Sequence, residues 1–272
     1  MAKSLKSGKY AKNMEYHKER FEVKSLQQIS VDANVNPVSR PEETSKNLLG
    51  FVAPWKNPQG DVLRPLEVIK TRKFTITYLL IIWAYVILID EAPEGDIFYN
   101  LRIISEQFAR MDSNELTSNP LVFLLSLLLA PFAHWDTVHA IYVSAGIMFF
   151  LQSFEAHNNW KKAAIIFIGT SALTSLIMAI FYNVGFAINP DVELFSRVMS
   201  RSFRGGSIGM FGALGALAYH ARKPHVLLLL VLLFEAWNYT SYGTDAAISI
   251  GHASSTLIGL VIWIFWNKKG SV

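Results

Sequence analysis

Four side chains with chemical potential stand out from an apolar background. Ser207 lies near the start of GGSIGMFGALGALAYH (205–220), His252 lies in GHASSTLIG (251–259), and His134 and His139 lie in FAHWDTVHA (132–140). A serine hydroxyl attacks a carbonyl only when a base removes its proton, and histidine is the side chain best suited to that task near neutral pH. Ser207 and His252 are therefore candidates for acyl transfer. Each also has a packing interpretation. A serine in a Gly/Ala-rich helix caps it or eases close approach, and a histidine in an apolar helix can satisfy itself with an interhelical hydrogen bond. Zinc held by His134, His139 and His252 is a further option by residue type, but no carboxylate is expected at the same depth to complete the site. No cofactor is implied. The chain has no cysteine, which excludes disulfides, thiolate catalysis and Cys-based metal sites.

The elements that must position these groups are apolar helices. Of the 272 residues, 51% are hydrophobic and only 17% are charged, against roughly 25% in an ordinary soluble domain. The charges are also segregated. Residues 1–73 hold 14 of the 25 Lys/Arg and 8 of the 21 Asp/Glu. The chain reads as an all-α polytopic membrane protein with a basic cytoplasmic N-terminal extension. The start, MAKSLKSGKYAKNMEYHKER, lacks the apolar core of a signal peptide, so the first apolar helix is expected to direct insertion. Lys/Arg ahead of a first span favour a cytoplasmic, lipid-facing location over nucleic-acid binding.

Residues 1–70 are expected to form a loosely ordered arm, with helix possible at 14–28 and a membrane-surface contact at 48–56. Residues 71–268 are expected to form the membrane domain. Its six candidate spans are 74–90, about 138–155, about 162–184, 207–221, 225–239 and 247–266. Several fall short of the ~20 residues of a perpendicular span, which suits a compact bundle in a locally thinned bilayer. The 13-residue run 121–133 is expected to be re-entrant or interfacial.

Flanking charges set the orientation. Arg72 and Lys73, Lys161 and Lys162, Arg222 and Lys223, and Lys268 and Lys269 mark the cytoplasmic side, so both termini are expected there. The acidic loop 90–119 and the loop 240–246 then lie outside. Loop 185–206 should also lie outside, although it carries Arg197, Arg201 and Arg204. This topology places Ser207, His252, His134 and His139 at similar depth on the outer side. Ionisable groups within a membrane default to a functional interpretation. Small residues at Gly205, Gly209 and Ala213, at Gly212 and Ala216, and at Gly251, Ser255 and Gly259 would let the fourth and sixth helices approach closely. If those rows meet, Ser207 comes within reach of His252.

At these residues the chain resembles the rhomboid family of intramembrane serine proteases. Gly205-Gly206-Ser207-Ile208, followed by Phe211-Gly212, corresponds to the family's Gly-x-Ser-Gly motif. Gly251-His252 with Ser255 and Gly259 corresponds to its sixth helix. Phe132-Ala133-His134, His139, Val143 and Glu155 correspond to its second helix, with Val143 where the family has Asn. Ile208 stands where the family has Gly, and Leu125-Ser126 falls where it has Trp-Arg. The similarity covers about residues 74–266.

The resemblance implies a six-helix rhomboid-like bundle and a Ser207–His252 dyad without an orienting acid. It implies an oxyanion site at the Ser207 backbone N–H beside Gly206, aided by His139. Phe211 would pack on His252, His134 would support the site, and Glu155 would pin helix ends. Substrates would be single-span membrane proteins cut near the outer face. Two alternatives stand beside this one. Val143 and Ile208 fit a non-catalytic rhomboid-like protein that binds transmembrane helices for trafficking or quality control. A transporter would instead line a path across the bilayer with ionisable groups, and none is expected deep in the third and fifth spans.

Overall fold

The computed structural model describes residues 47–269 except Glu91, Trp135, Gly243 and Thr244. The expectations for residues 1–46 lie outside the described residues. The described chain is almost wholly helical. In order it comprises α1 (Pro65–Thr71), α2 (Lys73–Asp90), α3 (Tyr99–Phe108), α4 (Glu115–Ser118), α5 (Pro120–Leu129), α6 (Thr137–His157), α7 (Trp160–Ile188), α8 (Glu193–Met199), α9 (Ser207–Ala218), α10 (Pro224–Tyr242) and α11 (Ala246–Lys269). Four of these, α2, α6, α7 and α11, are long and apolar enough to cross a membrane. Helix α9 is only 12 residues long. Helix α10 loses apolar character at its end, Asn-Tyr-Thr-Ser-Tyr. Helices therefore occupy all six candidate segments, and the 121–133 run is helix α5 followed by a 3-10 turn, Ala130–Phe132.

Helix α9 is the axis of the fold. It is buried along nearly its whole length, because Gly and Ala dominate it and neighbours close on every face. On one side it meets α11. A Cβ on Gly215 would strike the backbone of Thr256, and one on Gly259 would strike the backbone of Gly212. Ser255 adds a polar tie by donating to the carbonyl of Ile208 at 2.6 Å. On the other side, Gly209 faces Phe167 of α7. The small residues thus serve two interfaces. Gly215 and Gly259 admit the close approach of α9 and α11, whereas Gly209 and Gly212 face Phe167 and Thr170 of α7.

Pro131 ends the α5 segment, and the carbonyls it exposes find partners elsewhere. The Gly205 N–H donates to Ala130 O at 2.8 Å, and the Tyr78 hydroxyl donates to Pro131 O at 2.6 Å. These two bonds tie α2, α5 and the start of α9 together. Gly205 takes a φ of +113°, which a side chain would strain, and a Cβ there would run into the His139 ring.

The expected boundary at residue 70 falls within the ordered unit. Residues 47–56 pack on the bundle instead of trailing from it. The Val52 N–H donates to Ser153 Oγ at 3.0 Å, Gln152 donates to Val52 O, and the His157 ring bonds Gly50 O at 2.9 Å. Leu49 and Phe51 join the apolar core. The segment that reads as interfacial from its mixed composition is thus held by side chains from the end of α6.

The three arginines that disagreed with the charge rule have acidic partners. Arg201 pairs with Asp245 at 2.7 Å, Arg204 pairs with Glu106 at 3.0 Å and approaches Asp90 at 3.9 Å, and Arg197 pairs with Glu193. Short strands β1 (Met111–Asp112) and β2 (Ser202–Phe203) pair antiparallel. Loops 90–119 and 185–206 and the start of α11 therefore gather at one end of the bundle. The arginines there report local ion pairing with acidic loops, which a count of Lys and Arg alone does not register.

Candidate active site

The first two turns of three helices deliver the site residues. Asp136 caps α6 by accepting the N–H of His139 at 2.7 Å, which fixes His139 in the first turn. The 205–206 glycines carry the chain from β2 into α9, so Ser207 is its first helical residue, with Gly206 as the cap position. The first amides of a helix have no intrahelical partner, so the Ser207 N–H lies where an anion is favoured. His252 lies in the second turn of α11.

These elements enclose a cavity of about 780 Å³. Ser207, His252, His139, Tyr142, Ile208 and Gly205 all line it. Ser207 is 9% exposed and His252 5%. Phe211, one turn after Ser207 on the same helical face, stacks on the His252 ring at 4.2 Å between centroids with a 20° interplanar angle. That stack sets the imidazole beside the helix face that bears Ser207. His252 Nε2 and His139 Nδ1 are buried and have no hydrogen-bond partner among the described residues. Such atoms are uncommon in a folded chain and need a reason.

The remaining sequence candidates separate. His134 is fully buried, does not line the cavity, and packs its ring 5.1 Å from that of His139. Gly206 does not line the cavity either; a Cβ there would meet the Tyr78 hydroxyl. Glu155 lies at the far end of α6, about 24 Å along the helix from His139 at 1.5 Å per residue. There it accepts the Phe74 and Thr75 N–H groups at 2.9 Å each and the Thr75 hydroxyl at 2.7 Å. Val143 is buried in the apolar core and does not line the cavity. Among the described residues no group of three or more His, Asp or Glu side chains could hold a metal ion.

One residue escaped the sequence reading. Glu235 of α10 accepts or shares a hydrogen bond with His252 Nδ1 at 2.9 Å, and it is only 4% exposed. A carboxylate does stand at the depth of His252, contrary to expectation. The signal was present, since Glu235 is the sole charged residue in the apolar run VLLLLVLLFEAW. Its place four residues from the end of the expected fifth span made it easy to assign to a helix terminus.

Outside the apolar segments, Arg204 and Arg110 flank Glu106. Partial burial raises its carboxyl pKa, but the two guanidinium groups outweigh this and hold it below the usual carboxylate range. Arg201 and Arg204 line the same cavity as Ser207, so this ionic cluster forms part of the site's wall.

No protein-family model matches the chain, and neither the curated proteins nor the solved structures give a match.

Proposed function

We propose that the protein is a rhomboid-like intramembrane serine protease, built as a six-helix bundle, that cleaves single-span membrane proteins near the outer face. The observation that carries this reading is the shared cavity of Ser207 and His252, with His252 Nε2 buried and lacking a hydrogen-bond partner among the described residues, Ser207 Oγ included, so that the pair must close on substrate binding. In this reading Ser207 Oγ attacks a peptide carbonyl carbon while its proton passes to His252 Nε2. Collapse of the tetrahedral intermediate breaks the C–N bond, and the same proton leaves with the amine. Water then hydrolyses the acyl-enzyme, with His252 acting as base again. The Ser207 N–H and the His139 ring receive the oxyanion. The ordered loops and the cavity would face the extracytoplasmic side, and the membrane would hold both enzyme and substrate.

The test uses purified full-length protein in liposomes with a model transmembrane substrate. Cleavage and labelling by a fluorophosphonate are expected in the wild type and absent in Ser207→Ala and His252→Ala. Equal cleavage by wild type and Ser207→Ala would sink the assignment. A second reading, a rhomboid-like binder of transmembrane helices, draws on Val143 and Ile208. Val143 lies outside the cavity and offers no donor, while Ile208 narrows its wall. Stable co-purification of uncut substrate with the wild type would favour it.

A further inference from the structure

We propose that Glu235 is a positioning residue for His252, so that the site works as a Ser207–His252–Glu235 triad in place of a two-residue dyad. The inference rests on the protease reading above. Its geometric basis is the 2.9 Å contact between Glu235 Oε1 and His252 Nδ1, made between two almost fully buried side chains on neighbouring helices. A carboxylate can only accept hydrogen bonds. It therefore fixes the proton on Nδ1 and leaves the Nε2 lone pair for the serine hydroxyl. The Phe211 stack closes one face of the ring, and the Glu235 contact then fixes its rotation.

Position and cost both point to this role over simple packing. Glu235 does not line the cavity, so it lies behind His252 and away from where substrate would sit. An acidic residue in an apolar helix carries a desolvation cost. A staple between α10 and α11 could be made by a neutral amide without that cost. A carboxylate offers something an amide does not, namely stabilisation of the imidazolium that forms when His252 takes the serine proton. The second carboxylate oxygen, Oε2, has no hydrogen-bond partner among the described residues. Among the described residues no arginine or lysine pairs with Glu235, so its charge is not already committed to another ion pair.

The experiment compares wild type, Glu235→Gln and Glu235→Asp in liposomes, following cleavage, fluorophosphonate labelling and thermal stability. Glutamine can still hydrogen-bond His252, so a staple predicts unchanged kcat. The triad predicts a kcat at least ~10²-fold lower in Glu235→Gln with KM and melting temperature unchanged, and partial recovery in Glu235→Asp. On a Ser207→Ala background, Glu235→Gln should cause no further loss. Because a variant can fail to fold, a second measurement uses the wild type alone. Ring ¹⁵N resonances, assigned with His252→Ala, should show His252 protonated at Nδ1 and bare at Nε2. The opposite tautomer overturns the proposal. Serine-dependent labelling that is insensitive to Glu235→Gln overturns the triad and leaves the protease reading standing. No serine-dependent labelling in the wild type overturns both.

Discussion

At one end of the bundle the buried polar groups are bonded with the exception of Trp263 Nε1, and at the other many are not. Around the end of α6, Arg72 donates to Gln152 at 3.1 Å and to Lys56 O at 2.9 Å, Ser153 accepts the Val52 N–H, and both oxygens of Glu155 are bonded. Around the start of α9, both His134 nitrogens, His139 Nδ1, His252 Nε2 and Glu235 Oε2 lack hydrogen-bond partners among the described residues. An unsatisfied buried polar group costs about 1–3 kcal/mol. A fold that nearly completes its hydrogen bonds at one end and leaves several open near a cavity at the other separates holding from handling. The saturated end fixes α2, α6 and residues 47–56 as one body. At the open end, His139 Nδ1 and His252 Nε2 belong to residues that line the cavity, where something that enters could meet them.

Substitution at the saturated end should break the fold and spare the chemistry. Glu155→Ala removes three hydrogen bonds and leaves two backbone N–H groups at the start of α2 without acceptors. A loss of about 3–5 kcal/mol is expected at 1–3 kcal/mol for each orphaned group. With ~2–4 °C per kcal/mol for a chain of this size, the melting temperature should fall by about 10 °C. The protein that remains folded should label with fluorophosphonate at the wild-type rate per molecule. A slower rate per folded molecule would show that Glu155 communicates with the site and would erase the contrast.

Substitution at the open end should do the reverse. His139 contributes little to packing energy through its unpartnered Nδ1, yet it lines the cavity beside Gly205 and Ser207. His139→Ala is expected to lower cleavage about 10²–10³-fold, the range for loss of one oxyanion donor. Melting temperature should stay within a few degrees of wild type. A collapse in stability with normal cleavage would reassign His139 to the structural set.

The sequence disclosed these two ends unequally. Six apolar segments and the small-residue rows were legible, because hydrophobic periodicity and residue size act locally; the Phe211–His252 stack was expected only from the family resemblance. The partition of the small residues between α7 and α11 was not, since Gly212 and Gly215 differ only in which neighbour each faces, Thr170 of α7 or the Thr256 backbone of α11. Residues 48–56 were read as a membrane-surface contact and not as part of the bundle, because their anchors, Gln152, Ser153 and His157, lie about a hundred positions away. Glu235 was missed for a related reason. A single carboxylate in an apolar run gains meaning only when α10 packs beside α11 and brings it to His252 Nδ1. Arg201 and Arg204 likewise read as misplaced cations until the fold supplies Asp245, Glu106 and Asp90.

The smallest expected effect is also the one that tests whether the open end is braced by charge. Glu106 bridges Arg110, at 3.0 Å just past the end of its own helix, and Arg204, at 3.0 Å across to the loop that leads into Ser207. Its carboxyl pKa is depressed in the folded state, so the ionised form is favoured there over the unfolded chain. A depressed carboxylate adds stability that is fully present above its unfolded value, near 4.3, and is lost as pH falls through the lower folded value. Acidification from pH 6 to below 4 should therefore lower the melting temperature of the wild type more than that of Glu106→Gln. The difference should be a few degrees at most, because the carboxylate is about one-third exposed and solvent screens the pair. It should shrink further in high salt. A salt-insensitive difference would mean that Glu106 acts through packing, and the loop leading into α9 would then be held at Gly205 N–H and Ala130 O instead of by the ionic cluster.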